Sequence, residues 1–255
     1  MGKIIAIANQ KGGVGKTTTT VNLAASLGVK RKKVLLIDID PQGNATSGVG
    51  INKREMKQSS YDLLVGQAKA EDVIVKSVFQ NLHLIPCNSQ LAGAEIELVE
   101  VPDRVNVLKK AIVGLKDKYD YILIDCPPSL SLITLNALTA CDTLLIPIQC
   151  EYYALEGLSQ LMATVRQVKK MYNSTIDVEG VLLTMFDGRL NLTTQVLQEV
   201  KKFFGDKVFK TTIPRNVRLS EEPSYGQPVY YYDKSSTGTK SYVELAEELM
   251  KRNRG

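Results

Sequence analysis

The chain has 255 residues, 44% of them hydrophobic and 23% charged, with a formal net charge of +5. That length suits one large α/β domain or two small ones. No apolar run is long enough to cross a bilayer, and the first strand begins too near residue 1 to leave room for a signal peptide. The four cysteines, Cys87, Cys126, Cys141 and Cys150, form no CxxC pair, and His83 is the one histidine. That argues against zinc and for reduced, mostly buried thiols in a cytosolic protein. The mild basicity permits attraction to nucleic acid or anionic lipid without demonstrating it.

The β-branched run Ile4-Ile5-Ala6-Ile7-Ala8 predicts the first strand. After it come Asn9-Gln10-Lys11-Gly12-Gly13-Val14-Gly15-Lys16-Thr17-Thr18-Thr19, then helical apolar spacing at Val21, Leu23, Ala24, Ala25 and Leu27. Strand, glycine-rich turn and helix form the frame of a phosphate-binding loop. Glycines let the backbone curl close to a ligand. The curl turns successive N–H groups inward, and the helix adds its positive end. In this frame Lys16 reaches the terminal phosphates and the Thr17 hydroxyl ligates Mg²⁺. The common pattern has glycine where Gln10 stands, and this loop carries an extra lysine, Lys11. A plain glycine turn capping a helix is the bland alternative.

The basic run Lys30-Arg31-Lys32-Lys33 suits a helix C-terminus. Val34-Leu35-Leu36-Ile37, apolar on both faces, predicts a buried parallel strand, and it leads into Asp38-Ile39-Asp40-Pro41-Gln42-Gly43-Asn44. Ligands of open parallel sheets sit beyond the carboxyl ends of strands, so Asp38 and Asp40 are poised to meet phosphates. A turn rich in Asp, Pro and Gly is the competing reading. Short helices are expected around Tyr61, Leu64 and Val65 and around Val73, Ile74 and Val78. A strand follows over 82–86, with His83 structural. Leu91, Ala94, Ile96 and Leu98 come next. A helix is then expected over 102–118, with Pro102 in its first turn and Val105, Leu108, Ile112 and Leu115 on one face.

Tyr121-Ile122-Leu123-Ile124-Asp125 is an apolar strand ending in an acid. Beside a phosphate loop it reads as a Walker B strand whose Asp125 holds Mg²⁺ directly or through water. Cys126-Pro127-Pro128-Ser129 forces an extended exit, and Cys126 has no histidine to activate it. The expected order continues with a helix at 132–138, a strand at 143–147 and a long helix with Leu158, Leu161, Val165 and Val168 inward. A strand at 178–185, a helix at 192–204 and a late strand at 208–214 follow. The last helix, 239–252, buries Val243, Ala246, Leu249 and Met250. Alternation throughout predicts one α/β domain over 1–255, a doubly wound, mainly parallel sheet with helices on both faces.

Lys11-Gly12-Gly13-Val14-Gly15-Lys16-Thr17, the 38–44 segment and Ile124-Asp125-Cys126-Pro127-Pro128 together resemble the ParA/MinD family of deviant Walker P-loop ATPases. Cys150-Glu151-Tyr152-Tyr153-Ala154-Leu155-Glu156-Gly157-Leu158 and Ile213-Pro214-Arg215-Asn216-Val217-Arg218-Leu219-Ser220-Glu221 are similar to its chromosomal ParA branch. The likeness covers nearly the whole chain. It implies an ATPase that binds ATP and Mg²⁺, closes as a homodimer around two nucleotides, and is cytoplasmic and nucleoid-associated. Lys11 matches the signature lysine that reaches the partner's phosphates, and Gly12 lies where the two backbones approach. The loop from Lys11 to Thr18 holds the nucleotide, with Lys16 on the phosphates and Thr17 on Mg²⁺. Asp40 matches the acid that positions the attacking water. Asp38 and Asp125 match metal-shell acids, and Pro214 and Asn216 match residues near the adenine.

The resemblance also implies that the ATP-bound dimer binds DNA without sequence preference. A ParB (Spo0J-type) partner then stimulates hydrolysis and releases it. In some relatives the cycle also touches the replication initiator. Arg189, in a strand-to-helix loop, and Arg218, in the loop after the late strand, are the DNA contacts the resemblance favours. Lys201, Lys202, Lys234 and Lys251 are further candidates by charge, read equally well as solvated surface. A MinD-like membrane-associated ATPase is the alternative. It needs an amphipathic helix beyond the folded domain, whereas this sequence closes just after a helix whose apolar face the core uses, so no membrane partner is expected. A small-molecule ligase, or an iron–sulfur reductase with paired exposed cysteines, is a further rival.

Overall fold

The structure is a computed structural model and describes residues 1–151 and 154–253. Tyr152 and Tyr153 of the ParA-like segment, and Arg254 and Gly255 at the close of the sequence, lie outside the described residues. The strands are β1 (Lys3–Ile7), β2 (Val34–Asp38), β3 (Val75–Lys76), β4 (Leu82–Ile85), β5 (Tyr121–Asp125), β6 (Thr143–Gln149) and β7 (Asp177–Thr184). They form one sheet in the order β3-β4-β2-β5-β1-β6-β7, all parallel except the antiparallel edge strand β3.

The helices of the first half are α1 (Lys16–Val29), α2 (Asn44–Gly48), α3 (Ser60–Leu64), α4 (Ala70–Val73), α5 (Leu91–Glu97) and α6 (Val107–Ile112). Those of the second half are α7 (Leu132–Ala140), α8 (Ala154–Met171), α9 (Asn191–Phe204), α10 (Arg218–Tyr225), α11 (Val229–Tyr232) and α12 (Thr237–Arg252).

Strand side chains alternate between two cores, as the period of two requires. Ile4, Ala6, Leu35, Ile37, Ile122 and Ile124 face the layer made by α3 and α5–α9. Ile5, Ile7, Val34, Leu36 and Leu123 face α1, α11 and α12. Burial on both faces is why the central strands read as continuous apolar runs. Helix α1 is enclosed almost all round, because Leu23, Ala24 and Leu27 meet the sheet-side core together with Tyr242, Leu245, Ala246 and Leu249 of α12. Thr19 Oγ1 and the Tyr242 hydroxyl share a hydrogen bond of 3.2 Å across that contact. Helix α10 ends at Gly226, whose φ of 61° and close approach to Gly50 exclude a side chain: a Cβ there would lie 2.8 Å from the Gly50 Cα.

Several expected elements differ. The helix expected through Val78 stops at Val73, and the chain then pairs as β3 on β4, leaving Val78 91% exposed. The helix expected from Pro102 begins at Val107. Asp103 adopts φ 57° and Arg104 turns back to donate to the Val99 carbonyl at 2.7 Å, so the preceding residues form a turn.

No late strand forms over 208–214. Val208 and Pro214 make isolated bridges to Val181 and Phe186, while between them Lys210 N and Thr211 N donate to the Glu248 carboxylate instead of a sheet partner. Arg218 is therefore not in a loop after a strand; it opens α10. In α12, Tyr242 and Leu245 take the innermost positions, and Val243 and Met250 are half-buried.

Candidate nucleotide site

The carboxyl ends of β1, β2 and β5 meet in register: Ile7 lies beside Asp125, and Asp125 beside Asp38. The loop that leaves β1 curls back over this point. Gly13 (φ 72°) and Gly15 (φ 83°) take the left-handed conformation that the curl demands, and α1 starts at Lys16. Beyond the adjoining residues, no described heavy atom lies within 4 Å of a Cβ built on Gly12 or Gly13, so among the described residues the loop is open there.

The loop is tied down from its neighbours. Asn9 Nδ2 donates to the Pro147 carbonyl at 2.8 Å, and Asn9 Oδ1 accepts from Lys11 N at 3.0 Å. The Thr184 hydroxyl lies 2.8 Å from the Val14 carbonyl, which fixes the loop against the end of β7.

The two lysines of the loop have different surroundings. Lys16 is 7% exposed, and its Nζ donates to the Lys11 carbonyl at 3.0 Å. Burial lowers its pKa, opposed by the charge of Asp125. Lys11 points out of the loop and pairs with Glu151 at the entry to α8, both partly exposed.

The acids form the opposite wall. Asp38 and Asp125 are fully buried and Asp40 is 6% exposed. Thr17 Oγ1 and Thr20 Oγ1 donate to the two oxygens of Asp125 at 2.8 and 2.9 Å. Thr46 donates to Asp38 through both its N–H and its hydroxyl, at 2.8 and 2.7 Å. Burial raises the pKa of both carboxyls, and neighbouring acids raise it further: Asp40 acts on both, and Asp38 on Asp125. Among the described residues Lys16 is the buried cation facing this cluster. A divalent cation would offset what Lys16 alone does not, so the donor set of Thr17, Asp38 and Asp125 fits Mg²⁺, a hard ion that takes oxygen ligands.

Thr20 and Thr46 went unrecognised in the sequence. For Thr20 a signal existed: it lies one helical turn beyond Thr17, so both hydroxyls face the end of β5. Thr46 carried none, since its contact depends on how α2 folds back.

Pro214 and Asn216 border a cleft of about 140 Å³ that also touches Gly15, Thr18, Thr184 and Tyr242, so the chain brings the late segment to the loop. Asn216 is held there by a 2.6 Å bond to Thr237 Oγ1 and by accepting from Arg218 N at 2.8 Å.

The basic candidates split into two groups. The bridge between Phe186 and Pro214 sets the Arg189 loop beside the segment leading to Arg218, and Arg218 pairs with Asp233, next to Lys234. Arg189 is held by both oxygens of Asp187, at 2.9 and 2.7 Å. Arg218 also holds Glu221 at 2.9 Å, and Lys234 lies 5.4 Å from the Tyr230 ring centroid. Lys201 and Lys202 close α9, roughly 20 Å along the helix from the Arg189 loop at 1.5 Å per residue. Lys251 lies in the last turn of α12, beside Arg252, which reaches the 207–208 carbonyls.

His83 is structural: its Nδ1 shares a 2.8 Å bond with the Tyr119 hydroxyl. All four cysteines are free and buried, and burial pushes the Cys126 thiol well up, away from the reactive thiolate.

A doubly wound sheet with a glycine loop and buried lysine at the end of its first strand, facing paired acids, defines a P-loop nucleotide-binding protein. A family model described as an AAA domain matches residues 2–178. The chain is 61% identical over 249 residues to the sporulation initiation inhibitor protein Soj of Bacillus subtilis, covering 98% of each. It is 51% identical over 253 residues to the chromosome partitioning protein ParA of Myxococcus xanthus, covering 99% of this chain and 89% of that one.

Among solved structures, cobyrinic acid a,c-diamide synthase from Mycobacterium smegmatis with ADP and magnesium superposes with a TM-score of 0.87 at 33% identity, covering 100% of this chain and 96% of that one. The septum site-determining protein MinD from Pyrococcus horikoshii with Mg-ADP does so with 0.83 at 28% identity, covering 100% and 98%. The chain belongs to the ParA/MinD family of deviant Walker ATPases.

Proposed function

We propose that this protein is a Mg²⁺-dependent ATPase of chromosome partitioning. Its ATP-bound dimer binds DNA without sequence preference, and a ParB-type partner releases it by stimulating hydrolysis. The observation that carries this reading is the division of labour between the two loop lysines. Lys16 is buried within the loop, while Lys11 projects outward to a partly exposed ion pair with Glu151. The near full-length likeness to Soj and ParA proteins supports the partitioning role.

The loop N–H groups from Gly12 to Thr17 and the start of α1 bind the phosphates of ATP, with Lys16 as their buried counter-charge. Thr17, Asp125 and Asp38 would hold Mg²⁺, which would supply positive charge against the phosphates. Asp40 orients the attacking water and accepts its proton. Pro214 and Asn216 flank the base. Lys11, released from Glu151, crosses to the partner's phosphates past Gly12 and stabilises charge on the transferring group, as an arginine finger does. Supplying that charge from a second copy makes hydrolysis depend on dimerisation.

Arg189, Arg218 and Lys234 contact DNA phosphates. Lys201, Lys202 and Lys251 add long-range attraction from the far end. Doubling a weak basic surface raises avidity without new contacts.

The test measures ATP turnover with DNA and with an N-terminal peptide of a ParB-type protein, separately and together. Synergistic stimulation by the pair is expected. A rate indifferent to both refutes the partitioning cycle.

A further inference from the structure

Two faces of the molecule expose apolar side chains that the described residues leave uncovered, and their charges are opposite. The first is a groove of about 310 Å³ between α8 and α9. Leu155, Leu158 and Met162 wall it on one side and Phe203 and Phe204 on the other, with Arg166 alongside. Phe203 is 72% exposed. Lys169 and Lys170 continue α8 beyond Arg166, and Lys201 and Lys202 precede Phe203. These cations outnumber Glu156 and Glu199, the acids on the same two helices near the groove, so its rim is basic.

The second face is a ridge on α5 and the 3₁₀ turn that follows it (Leu98–Glu100). Ile96 is 78% exposed and Val99 50%, three residues apart and so on one side of the helix. Glu95, Glu97 and Glu100 flank them in sequence, Glu97 accepting from the Tyr61 hydroxyl, and against these three acids stands one cation, Arg104, which donates to the Val99 carbonyl. The ridge is thus an acidic apolar knob, and the groove a basic apolar slot.

Ridge and groove cannot meet within one chain. Both lie on the helical layer that covers the same face of the sheet. In the strand order, however, β4, which precedes α5, stands four positions from β6, which precedes α8. That is roughly 19 Å at the spacing of neighbouring strands.

We propose that the α5 ridge of one copy of this chain seats in the α8–α9 groove of a second copy. Ile96 and Val99 enter between Met162 and Phe203, and the flanking glutamates meet Arg166, Lys169 and Lys170. Such a contact is heterologous, because the patch on one copy differs from the patch on the other. It is made between Met162 and Phe203 and uses neither Lys11 nor Gly12. It involves far fewer residues than the roughly 20–30 per side of a standard interface. The contact is therefore weak between free monomers and gains strength where copies are already tethered.

Sedimentation equilibrium of the nucleotide-free protein tests this, up to roughly 300 µM, a range in which weak contacts populate. The mean mass is expected to rise with concentration, and less so in high salt, which screens the charged rim. Phe203→Ser and Ile96→Ser, both at exposed positions and checked for an unchanged thermal midpoint, each lower association about tenfold. Two charge reversals give the decisive arm. Glu95→Lys with Glu100→Lys makes the ridge basic, and Lys169→Glu with Lys170→Glu makes the groove acidic. Each double variant alone stays monomeric, and an equimolar mixture associates again. A wild-type mass that stays monomeric throughout the range overturns the proposal. So does a mixture that stays monomeric, or a reversed variant that associates like the wild type.

Discussion

Glu222 should make this protein less stable as pH rises through neutrality, and Glu222→Gln should remove that sensitivity. The side chain sits on α10 at 2% exposure. One carboxyl oxygen accepts from Asn22 Nδ2 at 2.5 Å, and the other, Oε2, has no hydrogen-bond partner among the described residues. Burial pushes its pKa up to about 8, against the pull of the Asn22 hydrogen bond. In the unfolded chain a glutamate titrates near 4.3. Between about 4.3 and 8 the folded protein therefore keeps a proton that the unfolded chain releases, and unfolding is favoured as pH rises. The stability from the neutral acid is complete below the unfolded pKa. It declines by at most about 1.4 kcal/mol per pH unit and is gone above the folded pKa.

Glutamine keeps the shape and the acceptor for Asn22 and cannot ionise. Its amide adds a buried donor at the position of Oε2, a penalty of about 1–3 kcal/mol that is constant with pH. The slope against pH is therefore the readout, not the absolute stability. Urea unfolding at several pH values between about 5 and 8.5 gives that slope from the midpoint and m-value. The variant is expected to gain about 2 kcal/mol or more on the wild type across this window, after discounting the maximal linkage slope. Parallel curves for the two proteins would show that Glu222 is ionised when folded, and the reasoning would fail.

Lys16→Ala should weaken binding of a fluorescent ATP analogue at least ~100-fold, since it strips a buried counter-charge from the phosphates. Asp40→Ala should retain the analogue, cut turnover by about 10² or more, and accumulate a DNA-bound dimer on native gels; normal turnover would remove Asp40 from catalysis. Arg189→Ala should lower DNA affinity equally on unrelated sequences and reduce the slope of log K against log salt by about 0.9, one phosphate contact. Gly226→Val must strain a backbone at φ 61° and push against Gly50, so a loss of roughly 2–3 kcal/mol is expected in thermal unfolding.

The central parallel strands β1, β2 and β5 were legible because they are short, mostly apolar runs buried on both faces, and 121–125 matched the structure residue for residue. The loop and its acids were legible for a related reason: phosphate chemistry places glycine, lysine and carboxylates at strand ends. What escaped depends on long-range partners. The 208–214 segment has strand composition, but Glu248, some 37 residues on, takes two of its N–H groups. Residues 102–106 have helical spacing, yet Asp103 and Arg104 form a turn. Thr46 became part of the acid cluster only once α2 had packed beneath Asp38. Glu151 stood inside a family-like segment without a role until its pairing with Lys11 was visible.

The enclosure of α1 by α12 has a consequence for synthesis on the ribosome. The phosphate loop is made about 220 residues ahead of α12, but the helix it opens is covered by Tyr242, Leu245, Ala246 and Leu249. At 5–20 residues per second, the roughly 220 residues between them take on the order of 10–45 s to appear. Throughout that interval the apolar back of α1 has no permanent cover, and the loop has no rigid base from which to grip an anion. Nascent chains should therefore be blind to nucleotide until α12 has emerged, so the loop matures long after it is translated.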